Sequence, residues 1–265
     1  MISGEPEFRD TGYEPAALVY DLEYPTCAGD ELGYWAARAR AAGGTALELA
    51  TGTGRVAIAL AKLGYRVTGL DTSEAMLRQA EAKRAAMPPR LARRLTFVAQ
   101  DMRAYDLQQT FDLVFVAFNS LLLLPSAEAR LACFACSFRH VRPGGAFGFD
   151  VFEVHEWDRQ PDHEPPEVLH ADAVTGRRVT RERFYRFNPA TNRGASTFLY
   201  RIHAVDAVVE ERRFSYSLAL VTCEQLTAEV ERAGFEVAGI YGTYQRRPWD
   251  RNAPNLLIEC RRPPR

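Results

Sequence analysis

The 265-residue sequence predicts an α/β fold with a mostly parallel sheet, and three observations carry that expectation. Short apolar runs alternate with helix-patterned stretches between about residues 30 and 150, the pattern of strands joined by crossover helices. The glycine turn Gly52-Thr53-Gly54 separates the first apolar run from the helix that follows it. After residue 150 helical patterning stops and several strand-like segments follow one another, so an antiparallel piece is inserted before one more helix and two last strands.

The elements follow in order. The first 28 residues carry Tyr13, Tyr20 and Tyr24 near Pro15 and Pro25, and read as an ordered arm or a short helix. Asp30 to Ala42 forms a helix closed by Gly43-Gly44, because glycine readily takes the left-handed conformation that ends helices. Strand one covers 45–49. A helix from Arg55 to Leu63 ends at Gly64, and strand two covers 66–70. Ser73 caps a helix that runs to about Ala86 and stops before Pro88-Pro89. Strands three and four fall near 95–98 and 111–117. Ser126 caps a helix to about Val141, and Pro143-Gly144-Gly145 turns the chain into strand five at 146–151.

Strand-like segments then lie near 168–174, 177–187, 195–203 and 211–220, separated by Thr175-Gly176 and by the turn residues Asn188 to Gly194. Thr222-x-x-Gln225 is a capping-box signature for a helix that Gly234 closes. Phe235 to Tyr241 and Asn255 to Cys260 supply the last two strands.

Size and composition limit what such a chain does. It is long enough for one α/β core with an inserted lid. With 33 basic and 34 acidic residues it lacks the electrostatic footprint that binding a phosphate backbone requires, so nucleic acid is not expected as a partner. The arginines at 90–94 and 177–186 read as solvated faces. Five scattered cysteines and no apolar N-terminal run point to a reduced cytoplasmic setting with no membrane span. Cys133-x-x-Cys136 lies in a helical pattern without a second ligand pair, so no metal is expected.

The strand-turn-helix-strand unit from Ala46 to Asp71 is suited to a nucleoside-containing cofactor. Gly52-x-Gly54-x-x-Ala57 also fits a loose dinucleotide fingerprint, with Asp71 as the ribose acid. Glu48 weighs against that choice. A carboxylate just before the turn faces the pyrophosphate of a dinucleotide, whereas a sulfonium cofactor has no phosphate to repel.

Glu48 to Arg55 resembles motif I of class I S-adenosylmethionine (SAM)-dependent methyltransferases, with Ala50 where a first glycine is common. Replacement by the smallest side chain is expected to tighten the turn slightly without loss of binding. Phe97 to Met102, Phe111 to Ser120 and Val141 to Phe147 resemble three later motifs of the same family, in order. The resemblance implies a Rossmann-like seven-stranded sheet with one reversed edge strand and an inserted antiparallel β lid, similar to small-molecule enzymes such as glycine N-methyltransferase and the deoxyaminosugar N-methyltransferases. It divides the chain into an arm and helix over the cofactor (1–43), the SAM-binding core (44–157), the lid (158–221) and the end of the core sheet (222–265).

On that resemblance, Glu48, Ala50 and Gly52 surround the methionine portion and Asp71 takes the ribose hydroxyls. Thr72 and Met76 lie beside ribose and adenine, Asp101 accepts from the adenine amino group, Met102 packs on its ring and Phe118 lies near the sulfonium. Structural roles stand beside these: Glu48 as a turn or helix-dipole partner, Asp71 as a helix N-terminal acid, Met76 as core. Tyr20 resembles the arm tyrosine that covers the cofactor, and a packing role competes. Asn119 sits where a parallel sheet opens its crevice and is placed to orient an acceptor. His155 is a general-base candidate or a plain loop histidine, while Tyr241 and Tyr244 line a pocket or pack.

Displacement at a sulfonium methyl needs positioning and exclusion of water more than acid catalysis, and a neutral amine needs no base once bound. The expected activity is SAM-dependent methylation of a small molecule, with an amine ahead of a hydroxyl. O-methylation with His155 as base is the alternative, and a NAD(P)-dependent oxidoreductase is the alternative from another class. Asn119-Ser120-Leu121-Leu122 lacks the Pro-Pro motif of protein-glutamine and adenine methylation. A homodimer is left open.

Overall fold

The computed structural model describes residues 7–24, 29–152, 154–172, 175–204 and 207–264. After a 3-10 turn at Glu14–Ala16 come α1 (Tyr20–Glu23), α2 (Gly29–Ala42), β1 (Thr45–Leu49), α3 (Arg55–Lys62) and β2 (Arg66–Asp71). Next are α4 (Glu74–Ala85), α5 (Pro89–Ala92), β3 (Leu95–Ala99), β4 (Phe111–Val116), a 3-10 turn at Ser120–Leu123, α6 (Ala127–His140) and β5 (Val141–Phe152). A 3-10 turn at Glu156–Arg159 leads to β6 (Asp162–Ala171), β7 (Arg177–Asn188), β8 (Arg193–Ala204) and β9 (Ala207–Ala219). The chain ends with α7 (Cys223–Arg232), β10 (Glu236–Tyr241) and β11 (Asn255–Arg261). Two compact units result, one of residues 1–25 and 155–220 and one of residues 26–154 and 221–265.

The larger unit is built on a seven-stranded sheet of order β10-β11-β5-β4-β1-β2-β3. The strands β1 to β5 pair in parallel, and the reversed strand is β11, one place in from the edge and antiparallel to both β5 and β10. Leu47, Leu49, Val114, Phe115, Val116, Phe149 and Ile258 are buried in continuous runs because helices cover both faces of a parallel sheet. Trp35 of α2 stacks on Phe115 at 4.5 Å and lies over Gly148, where a Cβ would stand 3.6 Å from the indole. On the other face of β5, Phe147 and Phe149 meet Phe134 of α6. Ser73 and Ser126 cap α4 and α6 as expected, and the Thr222 capping box is complete.

Two elements of the larger unit differ from the sequence expectation. The strand β5 begins at Val141 rather than 146, since Val141 already pairs with Phe111 before a register shift at Phe111–Leu113. A further short helix, α5, starts on Pro89, the residue type suited to a first helical position.

The smaller unit holds a four-stranded antiparallel sheet of order β6-β7-β8-β9. Its first strand begins at Asp162 and not near 168. Pro165-Pro166 hid the strand in the sequence, and they are tolerated because β6 is an edge strand whose register shifts between Glu164 and Glu167. The arm packs on this sheet: Thr11 exchanges backbone and hydroxyl bonds with Ser215, and Tyr13 stacks on Tyr216 at 5.2 Å.

Candidate cofactor site at the carboxyl end of the parallel sheet

The exit of β1 is a run of left-handed residues, Ala50 (φ 54°), Gly52 (φ 56°) and Gly54 (φ 77°). Two carboxylates hold it. The Glu48 side chain, 3% exposed, accepts at Oε2 from the Thr51 hydroxyl (2.7 Å) and from Ala57 N–H in the first turn of α3 (3.0 Å). Burial pushes its pKa up to about 8 against the pull of Thr51 and Arg55. Thr51 reaches that position because Gly69 of β2 leaves room, since a Cβ there would lie 2.6 Å from its hydroxyl oxygen. Asp71 accepts from Gly52 N–H at Oδ2 and from Ser73 N–H at Oδ1, both at 2.8 Å. Both acids thus fill their structural roles, as turn partner and as helix N-terminal acid, and both do so at the predicted place.

At the exits of β4 and β5 the predicted Phe118 and Asn119 meet residues that the motifs did not mark. Phe118 and Asn119 are consecutive left-handed residues, with φ of 57° and 64°. Asp150 of β5, 3% exposed, accepts from Phe118 N–H with both oxygens at 3.1 Å and from the Tyr244 hydroxyl at 3.0 Å. Burial, then the charge of Glu31, push its pKa up to about 7. The Arg55 guanidinium stands 4.6 Å over the Phe118 ring and makes a two-pronged pair with Glu31 of α2 at 2.6 and 2.8 Å. Arg55 lowers, and Glu31 raises, the pKa of both Glu48 and Asp150, so the four charged groups form one cluster. Three carboxylates share one guanidinium there.

Sequence reasoning missed Glu31, Arg55 and Asp150 as site residues. For Asp150 a signal existed: an acid inside the apolar run Phe147 to Phe152 has to face something polar. Arg55 directly follows the glycine turn, whereas Glu31 has no local mark.

The exits of β2 and β3 bring the remaining predicted cofactor residues together. Gln100 N–H donates to the Asp71 carbonyl at 3.1 Å, joining the two exits. Thr72 is exposed, Met76 is core at 1% exposure and Met102 is 8% exposed. Asp101 takes the Arg103 backbone N–H (2.8 Å) and guanidinium, which together hold its pKa below the usual carboxylate range. Tyr241 accepts from the Arg246 guanidinium, which also lies over its ring at 4.5 Å.

Tyr20 and His155 belong to the smaller unit. The Tyr20 ring packs among Tyr13 and Tyr24, at 6.0 and 5.0 Å. His155 N–H donates to Asp158 at 2.7 Å at the start of a 3-10 turn. Cys133 and Cys136 are both buried on α6, where burial raises each thiol pKa. No described helix is long and apolar enough to cross a membrane.

Residues 46–145, from β1 to the turn inside β5, match the family described as Methyltransferase domain. Along nearly its whole length the sequence is also similar to the cypemycin N-terminal methyltransferase of a Streptomyces species, at 28% identity over 256 residues, 96% of this chain and 97% of that one. Together these matches support a SAM-dependent methyltransferase. Solved structures share the fold of this methyltransferase. The CcbJ methyltransferase from Streptomyces caelestis is similar with a TM-score of 0.77 and 24% identity, covering 97% of this chain and all of that one. The sugar N-methyltransferase KedS8 from Streptoalloteichus sp ATCC 53650 is similar with a TM-score of 0.76 and 19% identity, covering 99% of each.

Proposed function

We propose that this methyltransferase transfers a methyl group from SAM to the nitrogen of a small-molecule amine. The observation that carries the cofactor side is the surplus of buried acid around Arg55. Glu31, Glu48 and Asp150 against a single guanidinium leave room for added positive charge, which suits an ammonium or sulfonium group and opposes a pyrophosphate. The bare turn Gly52 to Gly54 lets backbone approach a ligand closely.

Bound there, SAM supplies a methyl group on an excellent leaving group. Glu48, Ala50 and Gly52 then hold the methionine portion, with Asp71 on the ribose hydroxyls and Thr72 and Met76 beside ribose and adenine. Asp101 accepts from the adenine amino group while Arg103 keeps it ionised. Met102 packs on the ring, and Phe118 lies near the sulfonium. Asn119 orients the acceptor.

The amine is supported by the names of the similar proteins, an N-terminal methyltransferase and a sugar N-methyltransferase. A calorimetric titration with SAM, using Asp71→Ala as the weakened control, tests the cofactor. Binding of NAD in place of SAM overturns it. Screening amine and hydroxyl metabolites for release of S-adenosylhomocysteine tests the acceptor, and turnover of hydroxyls alone with strict dependence on His155 overturns N-methylation.

A further inference from the structure

One buried acid does more than the motifs account for, and its role builds on the cofactor assignment above. Phe118 holds left-handed φ directly before a left-handed Asn119, and a bulky residue such as phenylalanine keeps that conformation only when its surroundings over-determine it. Three sets of bonds to β5 supply that constraint. The Asp150 carboxylate accepts from Phe118 N–H with both oxygens at 3.1 Å, the Asp150 carbonyl accepts from Asn119 N–H at 3.1 Å, and Asn119 Oδ1 accepts from Phe152 N–H at 2.6 Å. Of these, only the first uses a side chain of β5. The Tyr244 hydroxyl donates to the same carboxylate at 3.0 Å, from the segment between β10 and β11, and fixes its orientation. Through Phe118 the constraint passes to the ring on which the Arg55 guanidinium rests.

We infer that Asp150, anchored by Tyr244, is a positioning residue that holds the Phe118–Asn119 corner in the conformation that receives the cofactor. A neutral acceptor would satisfy one N–H, so the carboxylate needs another reason to be there. Its charge faces Glu31 and Tyr34 of α2, Arg55 of α3 and Tyr244. In that company it is ionised only in part near neutrality, its pKa being pushed up to about 7. Protonation blocks one of the two oxygens that accept Phe118 N–H, and a cation bound nearby favours the ionised form. Affinity for a cationic cofactor therefore rises with pH through neutrality.

The test is SAM titration by calorimetry at pH 6, 7 and 8 with the wild type, Asp150→Asn and Tyr244→Phe. Wild-type affinity is expected to fall several-fold, roughly 3- to 10-fold, from pH 8 to pH 6. Asp150→Asn is expected to bind about 10-fold more weakly at pH 8 and to lose the part of the pH dependence centred near 7. Tyr244→Phe keeps the carboxylate but removes a donor to its ionised form, so the same inflection moves to higher pH. That variant decides the matter if Asp150→Asn does not fold. Wild-type affinity and an unchanged pH profile in Asp150→Asn, or an unmoved inflection in Tyr244→Phe, overturn the role of Asp150. Failure of the wild type to bind SAM at every pH overturns the cofactor assignment and this role with it.

Discussion

At the exits of β1, β4 and β5 the acids are buried and outnumber their cation, whereas at the exits of β2 and β3 they are partly exposed and fully bonded. Burial raises Glu48 and Asp150, while Arg103 lowers Asp101. The backbone differs in the same way. Ala50, Phe118 and Asn119 are left-handed on the first side, and no non-glycine residue from Asp71 to Thr72 or from Ala99 to Met102 is so among the described residues. One sheet edge thus offers a dry acidic half and a wetter, self-satisfied half. A cofactor with a cationic end and a neutral nucleoside end matches that division.

Removing the guanidinium should break the comparison most sharply. Arg55→Ala strands the buried Glu31 carboxylate and is expected to cost about 3–5 kcal/mol of stability, the usual penalty for breaking a buried ion pair. Arg103→Ala, on the exposed side, is expected to stay within about 0.5 kcal/mol. Urea unfolding of the two variants measures the difference, and equal losses would show that the two halves are not electrostatically distinct.

Glu48→Gln should come next and should separate binding from stability. The amide keeps the shape and one acceptor, so the turn survives, while the loss of charge is expected to weaken SAM binding by about 10- to 100-fold, or roughly 1.5–3 kcal/mol. Asp101→Asn is expected to cost less than about 10-fold, because its charge is largely spent on Arg103. Calorimetric affinities that rank the two the other way would put the cationic end on the wrong half.

The two halves should also respond oppositely to pH. Glu48 and Asp150 have folded pKa values of about 8 and about 7, above those of the unfolded chain, so from roughly pH 4 to 8 the native state binds more protons. Stability from these groups falls as pH rises through that window and levels off above it. Asp101 is lowered, so its stabilisation is present above the unfolded value and is lost as pH falls through the folded one. Between pH 6 and 8.5, Glu48→Gln is expected to lose less stability than the wild type by roughly 2–3 kcal/mol. Parallel unfolding curves for the two proteins would remove Glu48 as the source.

Much of this was legible in the sequence because it is locally encoded. The glycine turn, the caps at Ser73, Ser126 and Thr222, and the alternation of apolar runs placed the longer helices and, apart from β5, the strands of the larger sheet to within a residue or two. Glu48 and Asp71 were legible for the same reason, since strand and turn place them within a few residues of the bend. Glu31, Arg55 and Asp150 were not, because their partnership depends on α2, α3 and β5 meeting, over sequence separations that no periodicity reports. The paired prolines of β6 misled in the other direction, since only its place at the edge makes them compatible with a strand.

The smallest expected effect concerns Ala50, whose φ of 54° nearly equals that of Gly52 at 56°. The sequence suggested a slightly tighter turn at this departure from the glycine pattern, and the backbone instead keeps a glycine-like conformation with a side chain present. A Cβ at positive φ crowds the following carbonyl, and the strain outweighs the entropy that glycine adds to the unfolded chain. Ala50→Gly is therefore expected to stabilise the apoprotein by about 0.5–1 kcal/mol, read as a shift in urea midpoint at constant slope. If the strain belongs to the turn alone, SAM affinity stays within about 2-fold of wild type, whereas weaker binding in a more stable variant would show that the alanine methyl holds the turn ready for its ligand.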